Sequence, residues 1–512
     1  MRAAFALCPA ARVSRERRGF RPCGSRLLWD MTAVESRPAT PETPRKRRRR
    51  PTPWFLKAFT ALAIAASVLF AVIAALGASN VRSGFTAIGT TEEPQVSAGN
   101  DLIYALNDMD ANLANILMVG DKNLGPGVDR AAFTKLFEAD RAEADHDLQL
   151  AALHAGASGP GAQQVATAFN ALGDYEALAA QVMYVDTTSA NRPAGQLPQA
   201  ESAQYAQATD LMRSSVLPAA HAVADSNGAA LESSYQNRRS VAQEAVWWIV
   251  LTGVLALAAL VGFELWLTRR TRRALNPALV GATVLTLVVM IWGAVSMGSA
   301  SEHLRAAKKD AYDSVAALSA AKAESTDANA DESRLVVDPS RATQYQASFL
   351  AKSRALLDPG PNVTLDTYDA AVKADLDAYF NNPSHPVDFG GYFGTEMKNI
   401  TFPGERAAAE QMLRTYQTYE LDDRVFRQKL ATDLPEAIRF DTSPAASDSD
   451  GAFTAYATAV QKVIDINAAA FTANINAGVD EVTLWQWLPL GACVLAVGLA
   501  VAGVRPRLAE YR

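Results

Sequence analysis

Four long stretches of the chain carry no charged side chain: residues 58–81, 245–263, 274–301 and 482–504. A helix needs about 20 apolar residues to cross roughly 30 Å of hydrocarbon, and buried helices of soluble cores rarely sustain such runs. The pattern predicts transmembrane helices at 58–81, 244–268, 277–299 and 482–504. Tryptophans 54, 247, 248, 266, 292, 485 and 487 sit in or beside these runs, as interfacial aromatic belts do.

Between the runs the pattern changes to amphipathic helix. Leu102, Leu106, Met109, Leu113 and Ile116 repeat at spacings of four and three, a bundle stripe. Turn residues at 123–127, 156–161 and 186–193 divide the first intervening segment into helices near 101–118, 128–155, 162–186 and 198–240. Helices entered and left through membrane helices make an up-down-up-down bundle. The second segment predicts helices near 300–333, 340–357, 364–380, 404–431 and 449–480, the last with Phe453, Tyr456, Val460 and Val463 on one face. Extended period-2 alternation is missing, so almost no sheet is expected. Asp327, Ala328 and Asn329 echo Asp110, Ala111 and Asn112, and each trio precedes an apolar stretch. The chain therefore reads as a duplicated unit of membrane helix, bundle and membrane helix.

Charge sets the orientation. Residues 1–57 carry 15 basic and 4 acidic side chains, including the unbroken basic run 45–50. Arg269, Arg270, Arg272 and Arg273 lie between the second and third spans, and Arg505, Arg507 and Arg512 follow the fourth. Residues 79–244 have 9 basic and 20 acidic side chains, and residues 300–481 have 17 and 28. By the positive-inside rule the basic pieces face the cytoplasm. The expected layout is a disordered basic cytoplasmic tail at 1–57, bundles outside at 82–243 and 300–481, a cytoplasmic loop at 269–276 and a cytoplasmic tail at 505–512. The fold class is thus all-α: an integral plasma-membrane protein with four transmembrane helices, two tandem extracytoplasmic four-helix-bundle-like domains and both termini inside. Residues 1–30 hold neither a transmembrane run nor a signal-peptide profile. The true start is expected at Met31; the competing reading is a basic leader too polar to fold.

The average composition narrows the chemistry only by exclusion. The chain has 512 residues, a net charge of −6 and three cysteines, Cys8, Cys23 and Cys493. That number leaves no room for a disulfide scaffold or a cysteine-based zinc cluster. HExxH, GxxxxGK[ST] and GxGxxG motifs are missing from the sequence. No enzyme, cofactor, metal or nucleic-acid partner is implied. A transporter is also disfavoured: Glu264 alone interrupts the apolar runs, and it sits near enough to Arg269 to pair or snorkel there.

Three sets of residues remain as candidates. Residues 381–404 (NNPSHPVDFGGYFGTEMKNITFPG) form a long Gly- and Pro-rich segment with Phe389, Tyr392, Phe393 and Phe402. These aromatics read either as an external docking surface or as plugs for their own bundle. Arg269, Arg270, Arg272 and Arg273 read either as a contact for an acidic cytoplasmic partner or as topology determinants lying against anionic lipid. Asp108, Asp110 and Asn112 read as a polar site or, as such spacing more commonly gives, a solvated helix face.

The cytoplasmic pieces are too small for a kinase or cyclase, so any signal must pass to a separate protein. The arginine-rich entry, the four spans, the two helical bundles, the stretch at 393–405 (FGTEMKNITFPGE) and the tail at 505–512 (RPRLAEYR) resemble the GlnX-type membrane proteins of actinobacteria. That resemblance covers about residues 45–512. It implies a signal relay in which a GlnH-like lipoprotein outside binds glutamate or aspartate. A PknG-like Ser/Thr kinase inside would then receive the state. No contact residue is assigned by it. The alternative is a direct chemoreceptor holding a small ligand within a bundle. Charged groups between bundle helices would favour that alternative; a closed apolar core with an exposed aromatic loop would favour the relay. A homodimer is compatible with either.

Overall fold

The computed structural model describes residues 52–155, 160–189, 191–271, 275–382, 386–509. Residues 1–51 of the expected basic tail, the start at Met31, and Arg272 and Arg273 lie outside them, while residues 52–57, expected as disordered tail, are helical. Four helices of unusual length dominate: α1 (Pro53–Val119), α4 (Gln199–Arg270), α5 (Pro277–Val337) and α11 (Ser449–Ala509), of 67, 72, 61 and 61 residues. At 1.5 Å per residue, α1 alone is roughly 100 Å long. Shorter helices complete the fold: α2 (Arg130–Ala155), α3 (Pro160–Thr188), α6 (Ala342–Leu356), α7 (Tyr368–Asn381), α8 (Gly391–Asn399), α9 (Glu405–Leu430) and α10 (Leu434–Thr442). Among the described residues the only β pairing is the isolated bridge between Asp358 and Gly390.

Each long helix has an apolar part and a polar part. In the apolar parts, small residues face one another: Ala63, Ala74, Ala78, Ala256, Ala282 and Ala496 are buried. Many large ones face outward: Leu62, Leu69, Leu76, Leu255, Val288, Ile291 and Val494 are exposed. That inversion suits a lipid solvent, in which close helix approach replaces hydrophobic burial as the source of packing. Trp247, Trp248, Trp292 and Trp487 are exposed near one end of the apolar layer and Trp54 near the other. Trp248 and Trp266 lie about 27 Å apart along α4, close to the thickness of a hydrocarbon core. The chain therefore has four helices that fit a multi-pass membrane protein.

Where the long helices leave this layer, two of them widen into π turns, at Ile88–Glu92 in α1 and Ala306–Tyr312 in α5. The places match between the two halves of the chain. Beside the first, close packing leaves no room for a side chain at Gly478: a Cβ there would lie 2.2 Å from the Phe85 ring. The membrane-side cluster continues through Phe85, Ile88, Tyr235, Tyr312, Phe471 and Ile475.

The polar parts and the short helices form one body. Its larger core joins Leu102, Leu106, Met109, Leu113 and Tyr175 from the first half to Leu335, Val336, Phe426, Ile438 and Phe440 from the second. The five stripe residues of α1 are all buried, as the periodicity predicts. A second core belongs to the second half alone. The halves thus interlock along α1 and α5 and share one of their two cores.

Phe389 and Phe393 belong to that second core, where Phe393 meets Tyr416 edge-on with ring centroids 5.0 Å apart. Tyr392 is half-buried against the same core, and Phe402 packs on the membrane-side cluster. The burial of Phe389 and Phe393 corrects the expectation of an external docking surface at these two positions. The backbone is folded too tightly to release them. Gly391 has φ +77°, and a Cβ there would lie 2.5 Å from the Leu356 carbonyl oxygen.

Candidate functional site

The centre of the polar body holds charged groups where a simple bundle would be apolar. Asp110 of α1 and Arg334 of α5 are both fully buried. Arg334 donates from Nη2 to Asp110 Oδ2 at 2.7 Å and from Nη1 to Asp327 Oδ1 and Asp331 Oδ1, each at 2.7 Å. Asp110 also accepts from Tyr175 Oη of α3 at 3.0 Å and from Thr209 Oγ1 of α4 at 2.7 Å. Lys352 of α6 reaches Asp327 Oδ2 at 2.6 Å and Asp331 Oδ2 at 2.5 Å. Burial pushes the Asp327 carboxyl up, but Lys352 and Arg334 outweigh it and hold the group well below the usual carboxylate range. The two echoing aspartates, Asp110 and Asp327, therefore share one arginine.

Further polar ties run between the halves. Asn107 Nδ2 donates to the Ala323 carbonyl at 3.2 Å, and Ser333 Oγ to Asn115 Oδ1 at 2.8 Å. Ser202 Oγ donates to the Val337 carbonyl at 2.9 Å. Each tie fixes the register of α1 or α4 against α5, since a buried polar group that slips loses its partner.

Beside this junction lies a cleft of about 550 Å³, bounded by α1, α2, α5 and α11. Tyr104, Phe133 and Phe453 supply its aromatic faces. Asp108 and Asp450 stand in its lining, and Asp140 lies behind, accepting from Asn112 Nδ2 at 2.8 Å. Burial raises Asp108 to about 6. Burial and the Asp108 charge raise Asp140 to about 8 and Asp450 to about 7. Asp108 and Asp140 act on each other, so the two titrate as a pair above the usual carboxylate range. On the facing side Lys322 sits 4.0 Å above the Tyr104 ring and donates to Gln461 Oε1 at 3.1 Å. Lys462 also lines the cleft.

A third feature is a group of carboxylates in the second half. Glu332, Glu420, Asp423 and Asp441 are all buried, and Arg427 is the cation that pairs with Asp423, at 2.8 Å from Oδ1. Tyr419 Oη donates to Glu332 Oε2 at 2.9 Å. Burial first, then mutual repulsion, raises Glu420 to about 8 and holds Glu332 and Asp441 well above the usual range. Among the described residues no set of His, Cys, Asp and Glu has the geometry of a metal site.

Asp110 and Asn112 are buried, not solvated, and Asp108 is half-buried at the cleft. That corrects the expectation of a solvated face. The reason is that α1 is enclosed on its polar side by α2, α3, α4 and α5. Arg269 and Arg270 are exposed at the end of α4, far along the helix from both the junction and the cleft. Glu264 is buried within the apolar layer. Arg334, Lys322 and Asp450 carried no sequence signal as site residues. The echo of Asp110-Ala111-Asn112 at 327–329 was the one mark pointing to the junction.

Residues 84–236 match the family model of an actinobacterial sensor domain. The match spans the polar part of α1, the helices α2 and α3, and α4 as far as the apolar layer. It contains Asp108, Asp110, Asn112 and Asp140. No curated protein and no solved structure matches the chain. The matched domain supports a sensing role in signalling.

Proposed function

We infer that this chain is a non-enzymatic transmembrane signal relay whose polar body stands outside the cell and whose arginine-flanked ends face the cytoplasm. The carrying observation is continuity. Each of the four long helices runs from the apolar layer into the polar body, and three of them meet around Asp110 and Arg334. A helix that rotates or slides in the body must move its membrane part, because packed helices shift as rigid units between discrete arrangements. The sensor-domain match supplies the input side.

For the partners, support comes from the resemblance to GlnX-type proteins. The input is a solute-binding lipoprotein of the glutamate or aspartate type. The output is a cytoplasmic Ser/Thr kinase that reads the end of α4 at Arg269 and Arg270. Exposed guanidinium groups at a helix end suit an acidic partner surface.

Reconstitution tests this reading. The full chain is placed in nanodiscs with the lipoprotein, loaded with glutamate or empty, and retention of the kinase is measured. Loading is expected to change kinase affinity by about fivefold or more, the usual lower range of allosteric coupling. Equal retention with loaded and empty lipoprotein would overturn the relay.

A further inference from the structure

The cleft between α1, α2, α5 and α11 goes beyond the relay reading, since it offers an input that needs no lipoprotein. Its volume of about 550 Å³ falls within the range of small-molecule sites. Its lining carries both signs: Asp108, Asp450 and Asp465 together with Lys322 and Lys462. At the junction the buried aspartates Asp110, Asp327 and Asp331 each meet arginine or lysine within 3 Å. Asp108, Asp140 and Asp450 make no ion pair of that kind among the described residues.

Asn112 adds a directional cue. The residue is 4% exposed, yet it lines the cleft. Its amide nitrogen donates to Asp140 Oδ2, and its carbonyl oxygen accepts no hydrogen bond from a described residue. An acceptor beside unpaired carboxylates calls for a group with several N–H donors. The metal alternative is disfavoured by geometry, because these oxygens do not converge as cation ligands do. An ammonium group, larger and hydrogen-bonded rather than coordinated, suits separated acceptors. The faces of Tyr104, Phe133 and Phe453 suit an alkyl chain, and Tyr104 already accepts one cation, Lys322, on its ring.

We propose that this cleft directly binds a small basic amino acid, its ammonium groups held by Asp108, Asp450 and Asn112 and its carboxylate by Lys322 and Lys462. The acidic groups outnumber the lysines, so a second carboxylate on the ligand is disfavoured. The site joins two helices of the first half to two of the second, so a ligand held there changes how α1 sits against α5 and α11.

Calorimetry on the full chain in nanodiscs, without any lipoprotein, tests this. L-lysine, putrescine and L-glutamate are the probes. L-lysine is expected to bind, putrescine more weakly, and L-glutamate at least about tenfold more weakly than L-lysine. Asp108→Asn with Asp450→Asn should weaken L-lysine about tenfold or more, and Lys322→Met should weaken L-lysine while leaving putrescine unchanged. Thr454→Trp keeps every charge and fills the mouth of the cleft, and should abolish binding of both amines. No L-lysine binding would overturn the proposal. So would L-glutamate binding as tightly as L-lysine, or Thr454→Trp binding L-lysine unchanged. Lipoprotein docking is measured separately in the absence of L-lysine, so this site and the relay can fail independently.

Discussion

Asp110 and Arg334 are 224 residues apart in the chain and meet at 2.7 Å in the middle of the polar body. Neither has access to water, so each is tolerable only because it is paired and hydrogen-bonded. Their pairing fixes α1 against α5 and ties the two halves of the chain into one body.

Removing the cation should cost far more than removing one anion. Arg334→Met leaves Asp110, Asp327 and Asp331 buried with Lys352 as their remaining cation. A loss of about 3–5 kcal/mol is expected, the usual cost of orphaning a buried charge. Adding Asp110→Asn to Arg334→Met should recover part of it, because one uncompensated carboxylate is gone. Thermal unfolding of the purified protein in detergent measures both. Additive losses in the double variant would show that the pair is not coupled.

The second-half carboxylates predict a pH response of stability. Burial first, then the Asp423 charge, pushes the Glu420 carboxyl up to about 8, against 4.5 for an ordinary glutamate. Its folded pKa is raised, so between 4.5 and about 8 the folded state binds more protons than the unfolded state. Stability therefore falls as pH rises through that window, and the penalty is complete above it. Glu420→Gln should flatten the decline between pH 5 and 8.5 and raise the melting temperature at the alkaline end. An unchanged slope would place the titration elsewhere.

Packing at the membrane-side end of the body predicts a steric effect. Gly478→Ala would place a methyl group 2.2 Å from the Phe85 ring, forcing α11 away from α1. Overpacking of this kind costs about 1–3 kcal/mol. Phe85→Leu combined with Gly478→Ala should recover much of the loss, and unfolding curves of the two variants decide it.

Much of the helical frame was legible in the sequence because its signals are local. The uncharged runs and the stripe from Leu102 to Ile116 place α1, and the turn residues at 123–127 and 156–161 separate α2 from its neighbours. Two short helices, α8 and α10, were missed: Gly391–Asn399 hides within a Gly-rich stretch, and Leu434–Thr442 is only nine residues long. The junction was illegible for a different reason. Helical periodicity reports which side of a helix is apolar; it does not report what covers the other side. Asp110 and Asn112 have the spacing of a solvated face, but Arg334 of α5 covers Asp110 and Asp140 of α2 meets Asn112. For Phe389 and Phe393 the sequence left two readings open, docking surface or core plug, because loop composition does not report burial, and both residues fill the second core.

The most direct test of the whole account is the sidedness of the polar body. Cys8, Cys23 and Cys493 are first replaced, and single cysteines are then introduced as Tyr184→Cys, at a residue 71% exposed in the body, and as Arg269→Cys at the far end of α4. Intact cells are treated with a membrane-impermeant maleimide. The account predicts labelling of Tyr184→Cys in intact cells, and of Arg269→Cys only after permeabilisation. The reverse pattern, or labelling of both in intact cells, would contradict it.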